Sequence, residues 1–311
     1  MNRLQSIVRR GLATGTHQRF AIDALDVIEG EAGHRLSRWL LRHHRAYLRG
    51  AIDPDVRFRD FHNHVLHARE GFWGGAIRVA QQWHDRLRRH LSAERFRDAA
   101  HAAGVLSHYV TDMLQPLHTA TDARETLVHR PLEWSIESCY DAITEARDRM
   151  QVRVEIQLSS RPNWLEELMI ESARLSEQRF DLLVRHYRFQ EGVDDPRSGL
   201  DDVAMESIAE LFAIAVIAWA RVLERIATES EVESRYPIPT CHLGGATAHA
   251  LLTAPFAVWR RRLRNQFQAI AIRELADEYF RTGQLREKLP AEVDIKRRDA
   301  EFHGDVHRGT P

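Results

Sequence analysis

The sequence predicts an all-α protein, and three observations carry that expectation. Apolar residues recur at helical spacing through most of the chain. Alternating β-branched stretches are nearly absent. Turn residues punctuate the periodic segments at short intervals. In chain order, Ala21, Ile22, Ala24, Leu25 and Ile28 share one helical face, with Thr14 and Thr16 as candidate caps ahead of them. Residues 34–49, 74–91, 94–115, 130–150, 163–190, 201–228 and 245–282 read as further helices. Breaks fall at 50–54, 161–163, 194–199 and 237–239, each carrying Gly, Pro, Asn or Asp. Only 152–158 alternates in the manner of a strand, over a short stretch. The stretch 228–240 reads as a linker. The expected organisation is a main helical domain over 1–228, a helical extension over 229–289, and a charged, flexible tail over 290–311.

Composition narrows the function classes. A chain of 311 residues can bury a substantial core. Its 44 basic and 45 acidic residues nearly cancel, so no global field draws it to nucleic acid or anionic lipid. Two cysteines, Cys139 and Cys241, exclude a disulfide framework. Near the N-terminus Gln5, Ser6, Arg9 and Arg10 interrupt the apolar stretch that a secretory signal requires. The longest apolar run, 211–220, is about half of the roughly 20 residues that span a bilayer. A cytoplasmic chain without a transmembrane segment is expected.

Histidine is the outlier. Of 18 histidines, 13 lie between His17 and His129, and histidine is both the commonest metal ligand and the usual proton carrier near neutral pH. The densest signal is Ser107-His108-Tyr109-Val110-Thr111-Asp112-Met113-Leu114-Gln115-Pro116-Leu117-His118. On a helix, His108 and Asp112 are four apart and project from one face, so an imidazole and a carboxylate can share one cation. His118 is out of phase with them on a straight helix. Pro116, however, clashes with the carbonyl of residue 112 and should bend or end the helix, which would swing His118 towards the same cavity. Further on, His129 and Glu133 repeat the four-residue spacing. Pro131 between them suits a first helical turn, which would put His129 at a helix start. Upstream, Thr16-His17 precedes a helix, 50–55 is a turn ending in Asp55, and Asp60-Phe61-His62-Asn63-His64 follows.

The pattern Gly-x-x-x-His-Tyr-x-x-Asp-x-x-Gln-Pro-x-His, followed by His-x-x-x-Glu, resembles the zinc-dependent phospholipase C family, whose fold is related to that of fungal single-strand nucleases. The resemblance covers about 14–228 and implies an all-helical domain holding two or three zinc ions in a cleft. Carried over residue by residue, it implies His17, Asp55, His64, His108, Asp112, His118, His129 and Glu133 as metal ligands, with His62 the fallback for His64. Asp55 doubles as candidate general base, and Asp112 would bridge two metals. His118, His129 and Glu133 would hold the remaining zinc. The secreted members also use a processed N-terminal Trp as a ligand. Here the first tryptophan is Trp39, so the third site is open: absent, or completed by His34 or His43.

The implied reaction is attack of a metal-activated water on a phosphodiester, without a covalent nucleophile. Phospholipid is the leading substrate class, with a single-strand nuclease or small-phosphodiester hydrolase on the same metal frame as the alternatives. Phe256, Trp259, Leu263, Phe267 and Ile270 form a helical stripe beside Arg260, Arg261, Arg262 and Arg264, which suits peripheral contact with an anionic membrane through 256–270. Two competing readings are an HD-type phosphohydrolase, for which His84-Asp85 supplies only the dipeptide, and a non-catalytic, metal-stabilised protein that docks a partner through the segment after Thr240.

Overall fold

The computed structural model describes residues 2–122 and 124–283. The expected tail over 290–311, and the last six residues of the expected extension, lie outside the described residues. Among the described residues there is no strand, only two isolated bridges, His67 with Trp73 and Tyr187 with Leu200. The weak alternation over 152–158 forms neither helix nor strand.

The chain opens with α1 (Arg3–Gly11), α2 (Thr16–Asp23), α3 (Glu31–Arg42) and α4 (His44–Gly50). The expected single helix over 34–49 breaks at His43, whose backbone leaves the helical region. A wide turn at Pro54–Phe58 and a 3₁₀ turn at Phe61–His64 lead to α5 (Ala76–Ser92), α6 (Phe96–Asp112), α7 (Pro116–Thr119) and α8 (Glu125–Arg149). Then follow α9 (Trp164–Glu177), α10 (Phe180–His186), α11 (Phe189–Asp194), α12 (Asp202–Ser234) and α13 (Gly244–Thr282). The periodicity over 163–190 is thus divided among α9, α10 and the start of α11.

Helix α12 is the axis of the core. The Asp201 carboxylate caps its start, accepting from Ala204 N at 2.9 Å. The helix is apolar nearly all round because α2, α3, α5, α6, α8, α9 and α10 surround it. By length and composition it could cross a membrane. Two-thirds of its most apolar window is buried inside the protein, as a central core helix requires. Buried Trp219 ties it inward: Nε1 donates to Tyr47 Oη at 2.7 Å, and Tyr47 Oη donates to the Ala21 carbonyl at 2.8 Å. Helices α4 and α6 cross at Gly50 and Gly104, where a Cβ on either would overlap the opposite backbone. That close crossing sets α6, and with it His108 and Asp112, against the turn that carries Asp55.

The connection after α12 starts later than the periodicity suggests, because the helix runs to Ser234. Three side chains of α3 hold the connection down: Arg38, Trp39 and Arg42 donate to the carbonyls of Cys241, Pro239 and His242 at 2.7–2.8 Å. Helix α13 then returns along α1 and α11, with Ile272 and Ala276 buried beside Trp134 and Val193. Its outer face leaves Phe256, Trp259, Phe267 and Ile270 more than half exposed.

Candidate metal centre

The end of α6 supplies the centre's buried half. Its last turn carries His108, Thr111 and Asp112. The turn that follows brings Gln115 to an extended conformation, as the residue before a proline prefers. Pro116 then opens α7 at its first position and turns His118 into the cavity. The bend predicted at Pro116 is present, with α6 ending three residues earlier than the pattern suggested. Helix α8 differs more. It starts at Glu125, not at Arg130, and carries Pro131 inside. The extra turn is held by Glu125, whose carboxylate bonds His129 Nδ1 one turn on. His17 sits in the first turn of α2, which Gln18 anchors by accepting from Thr14 N at 2.8 Å and Gly15 N at 3.3 Å.

These elements bring the eight expected residues into three donor groups, His17 with His108 and Asp112, Asp55 with His64 and His108, and His118 with His129 and Glu133, and five of them, His17, Asp55, His118, His129 and Glu133, line one cleft. Within each group the donor atoms lie within 4.8 Å of one another. Asp112 Oδ1 is 3.3 Å from His17 Nε2, and Oδ2 is 3.1 Å from His64 Nδ1 and 3.3 Å from His108 Nε2. Asp55 Oδ1 lies 3.5 Å from His64 Nδ1 and 3.4 Å from His108 Nε2. Glu133 Oε1 lies 3.4 Å from His118 Nε2 and 3.2 Å from His129 Nε2.

Two of the ring nitrogens facing away from the cavity have hydrogen-bond partners, and a third faces a carboxylate. His108 Nδ1 donates to the Ala51 carbonyl at 2.9 Å, and His17 Nδ1 meets Thr111 Oγ1 at 3.1 Å. His64 Nε2 faces Asp60 Oδ1 at 3.4 Å, while Asp60 Oδ2 accepts from Tyr109 Oη at 2.8 Å. Orienting the outward nitrogen in this way points the other lone pair inward, which is how metal-binding imidazoles are fixed.

A dication fits this set. Asp112 is fully buried, yet neither carboxylate oxygen has a hydrogen-bond partner. A buried, unsatisfied carboxylate costs several kcal/mol unless a cation compensates it. Nitrogen and carboxylate donors without a thiolate match the preference of zinc. The electrostatics agree. Burial pushes the Asp112 carboxyl up, but His108, His118 and His17 around it hold it far below the usual carboxylate range. Glu133 is held down in the same way by His129 and His118 against its own burial. Burial and the neighbouring His108 push His17 down to about 4, which leaves it a neutral donor at pH 7.

The reserve residues stay outside. Neither His62, His34 nor His43 joins a donor group among the described residues. His62 packs edge-on to Trp73, and His43 stacks on Trp39 and lines a different cleft. His84-Asp85 also joins no group; His84 packs edge-on to Trp164.

Sequence reasoning missed Glu137, and it named Arg264 only as part of the 256–270 membrane stripe, not as a residue of this cleft. Glu137 follows Glu133 by one helical turn and so lines the same cleft, a signal readable from spacing alone. Arg264 arrives from α13, pairing with Glu137 and donating to the Thr14 carbonyl at 3.1 Å. No local pattern announces that contact across more than 120 positions. The cleft, about 400 Å³, is completed by Arg130, Gln268 and an apolar wall of Phe20, Phe61, Leu211, Phe212 and Ile272.

A family model described as zinc dependent phospholipase C matches residues 16–179. The match takes in every residue of the three donor groups and stops short of α12 and α13. No curated protein matches the chain.

Proposed function

The chain belongs to the zinc-dependent phospholipase C family, and from that premise we propose that it hydrolyses phosphodiesters, with phospholipid as substrate class, on two or three zinc ions held by the three donor groups. The observation that carries this reading is the buried Asp112 carboxylate, unpartnered by hydrogen bonds and ringed by three imidazoles at one end of a cleft with an apolar wall. Zinc bound there would supply the Lewis acidity that draws charge off the phosphoryl oxygens and makes water a nucleophile at neutral pH.

The chain's own residues take the remaining roles. Asp55 is partly open to the cleft, unlike Asp112, and is placed to orient the attacking water and accept its proton. Arg130 and Arg264 lie on the cleft wall, where a guanidinium can hold a phosphate oxygen and the headgroup beside it. Phe20, Phe61 and Phe212 suit the apolar start of an acylglycerol and keep bulk water from it. The exposed Phe256, Trp259, Phe267 and Ile270 on α13, which also carries Arg264, favour contact with an anionic membrane beside the cleft mouth.

A substrate panel tests the reading. Zinc-loaded protein is given phospholipid in mixed micelles, bis-p-nitrophenyl phosphate and single-stranded DNA, each with and without chelator. Chelator-sensitive release of a phosphomonoester headgroup, ahead of the other substrates, is expected. Preference for DNA or for the small diester would move the assignment to those substrates, and no turnover by protein of full zinc content would leave a metal-stabilised binding protein.

A further inference from the structure

A second cleft, of about 680 Å³, shares no lining residue with the zinc cleft. It lies between the end of α3, α4, the first turn of α6 and the start of α13. Five guanidinium groups line it: Arg42, Arg45, Arg49, Arg57 and Arg97. Two of them, Arg49 and Arg57, share the single carboxylate of Asp53 at 3.5 and 3.8 Å, which also meets His101 at 2.7 Å. Asp98, the one lining carboxylate, faces Arg95 at 4.0 Å. Arg42 donates to the His242 carbonyl and Arg45 contacts His249 Nε2, neither of which is a carboxylate. Arg42, Arg45 and Arg97 meet no carboxylate among the described residues. Like charges converging on one concave site repel, and the arrangement raises the local concentration of anions.

The wall of this cleft also holds a buried polar atom. His44 is 2% exposed and lines the cleft. Its Nδ1 donates to the Leu41 carbonyl at 3.1 Å, which leaves Nε2 with the lone pair, and Nε2 has no partner. Burial and the nearby His249, Arg45 and His43 push His44 down, so it is neutral and an acceptor at pH 7. A ligand that satisfies this set carries negative charge for the guanidinium forks and a hydroxyl for the imidazole. A monoprotonated phosphate has both.

We propose that this arginine-lined cleft is a binding site for a phosphomonoester, held by Arg42, Arg45 and Arg97, with His44 Nε2 accepting from its P–OH. The site is independent of the reaction at the zinc cleft. The same chemistry is offered by free phosphate and by the headgroup of phosphatidic acid, and the experiment separates them. Calorimetric titration of the zinc-loaded full chain with inorganic phosphate is compared among wild type, Arg97→Ala and Arg45→Gln. Both substituted residues are exposed, and zinc content and circular dichroism verify the fold of each variant. Each substitution is expected to weaken one class of phosphate sites about tenfold, the worth of one charge-assisted contact, leaving any phosphate bound at zinc as a separate class. In a parallel arm, co-sedimentation is measured with phosphatidylcholine vesicles with and without phosphatidic acid. Loss in both arms supports a lipid headgroup, and loss with free phosphate alone supports a soluble phosphomonoester. Identical isotherms for wild type and both variants would overturn the proposal, since all bound phosphate would then sit at the zinc cleft.

Discussion

Replacing Asp112 by asparagine separates the donor groups from one another. The side chain keeps its shape and loses its charge. In the folded protein its oxygens lie 3.1–3.3 Å from three imidazole nitrogens. At that separation one unit of charge is worth ~5 kcal/mol at an effective dielectric near 20, before the relief of the carboxylate's own desolvation is subtracted. The net loss should still exceed the 10–100-fold that an outer-shell partner costs. We expect zinc affinity at the His17, His64 and His108 positions to fall at least ~100-fold, about 2.7 kcal/mol. Asp112 is not part of the His118–His129–Glu133 group, so that group should keep its ion. The assay is zinc content after dialysis against a weak chelator, paired with thermal unfolding at graded free zinc. Ligand at 100 times its dissociation constant stabilises by ~2.7 kcal/mol, roughly 4 °C for a chain of this size. The variant should show only the part of that rise contributed by one ion. Full zinc content in D112N would refute the role given to Asp112. Complete loss of zinc would refute the independence of the two ends of the cleft.

Asp55→Asn should retain most of the zinc, because His64 and His108 remain, while kcat falls by at least ~100-fold; an active D55N assigns the proton transfer elsewhere. Arg264→Ala should raise KM for phospholipid about tenfold with a smaller change in kcat, and an unchanged KM would remove α13 from substrate binding. Gly104→Ala would press a Cβ into the Tyr47 carbonyl, and backbone cannot yield as a side chain can. A loss of ~3 kcal/mol in denaturant unfolding is expected. Burial pushes His64 and His108 down, but Asp112 and Asp55 dominate and raise both above the ordinary imidazole value in the metal-free protein. Those protons must leave for the nitrogens to bind zinc, so affinity should fall as pH drops towards and below ~6.5. Calorimetry in buffers of different ionisation enthalpy should show proton release on zinc binding, and zinc affinity that is flat with pH would contradict the assignment. In the metal-free protein the raised imidazoles contribute stability that is fully present at acid pH and lost as pH rises through their folded values.

Much of the candidate site was legible because its donor residues come as local patterns. His108 and Asp112 are one helical turn apart, as are His129 and Glu133, and a four-residue spacing reads the same in a sequence and on a helix. Pro116 announced a bend because its ring forbids the helix to continue, and the bend is what turns His118 inward. Pro131 misled for a complementary reason. A proline suits a helix start, but Glu125 reaches His129 across an earlier turn and the helix forms upstream of it. Helix ends at Arg42, Glu177 and Ser234 were also outside what periodicity could locate, since packing against neighbours decides where each helix stops.

The sequence by itself determined the all-helical class, because periodicity depends on residue type and short spacing, and its family resemblance named the eight candidate donors. Only the tertiary structure decided which donors stand close enough to share a cation, that Asp112 is buried among three imidazoles, and that Arg264 returns from α13 to the cleft. It also assembled five arginines from separate segments into a second one. Contacts between residues far apart in the chain depend on how α12 orders the helices around it, and no local pattern encodes that order.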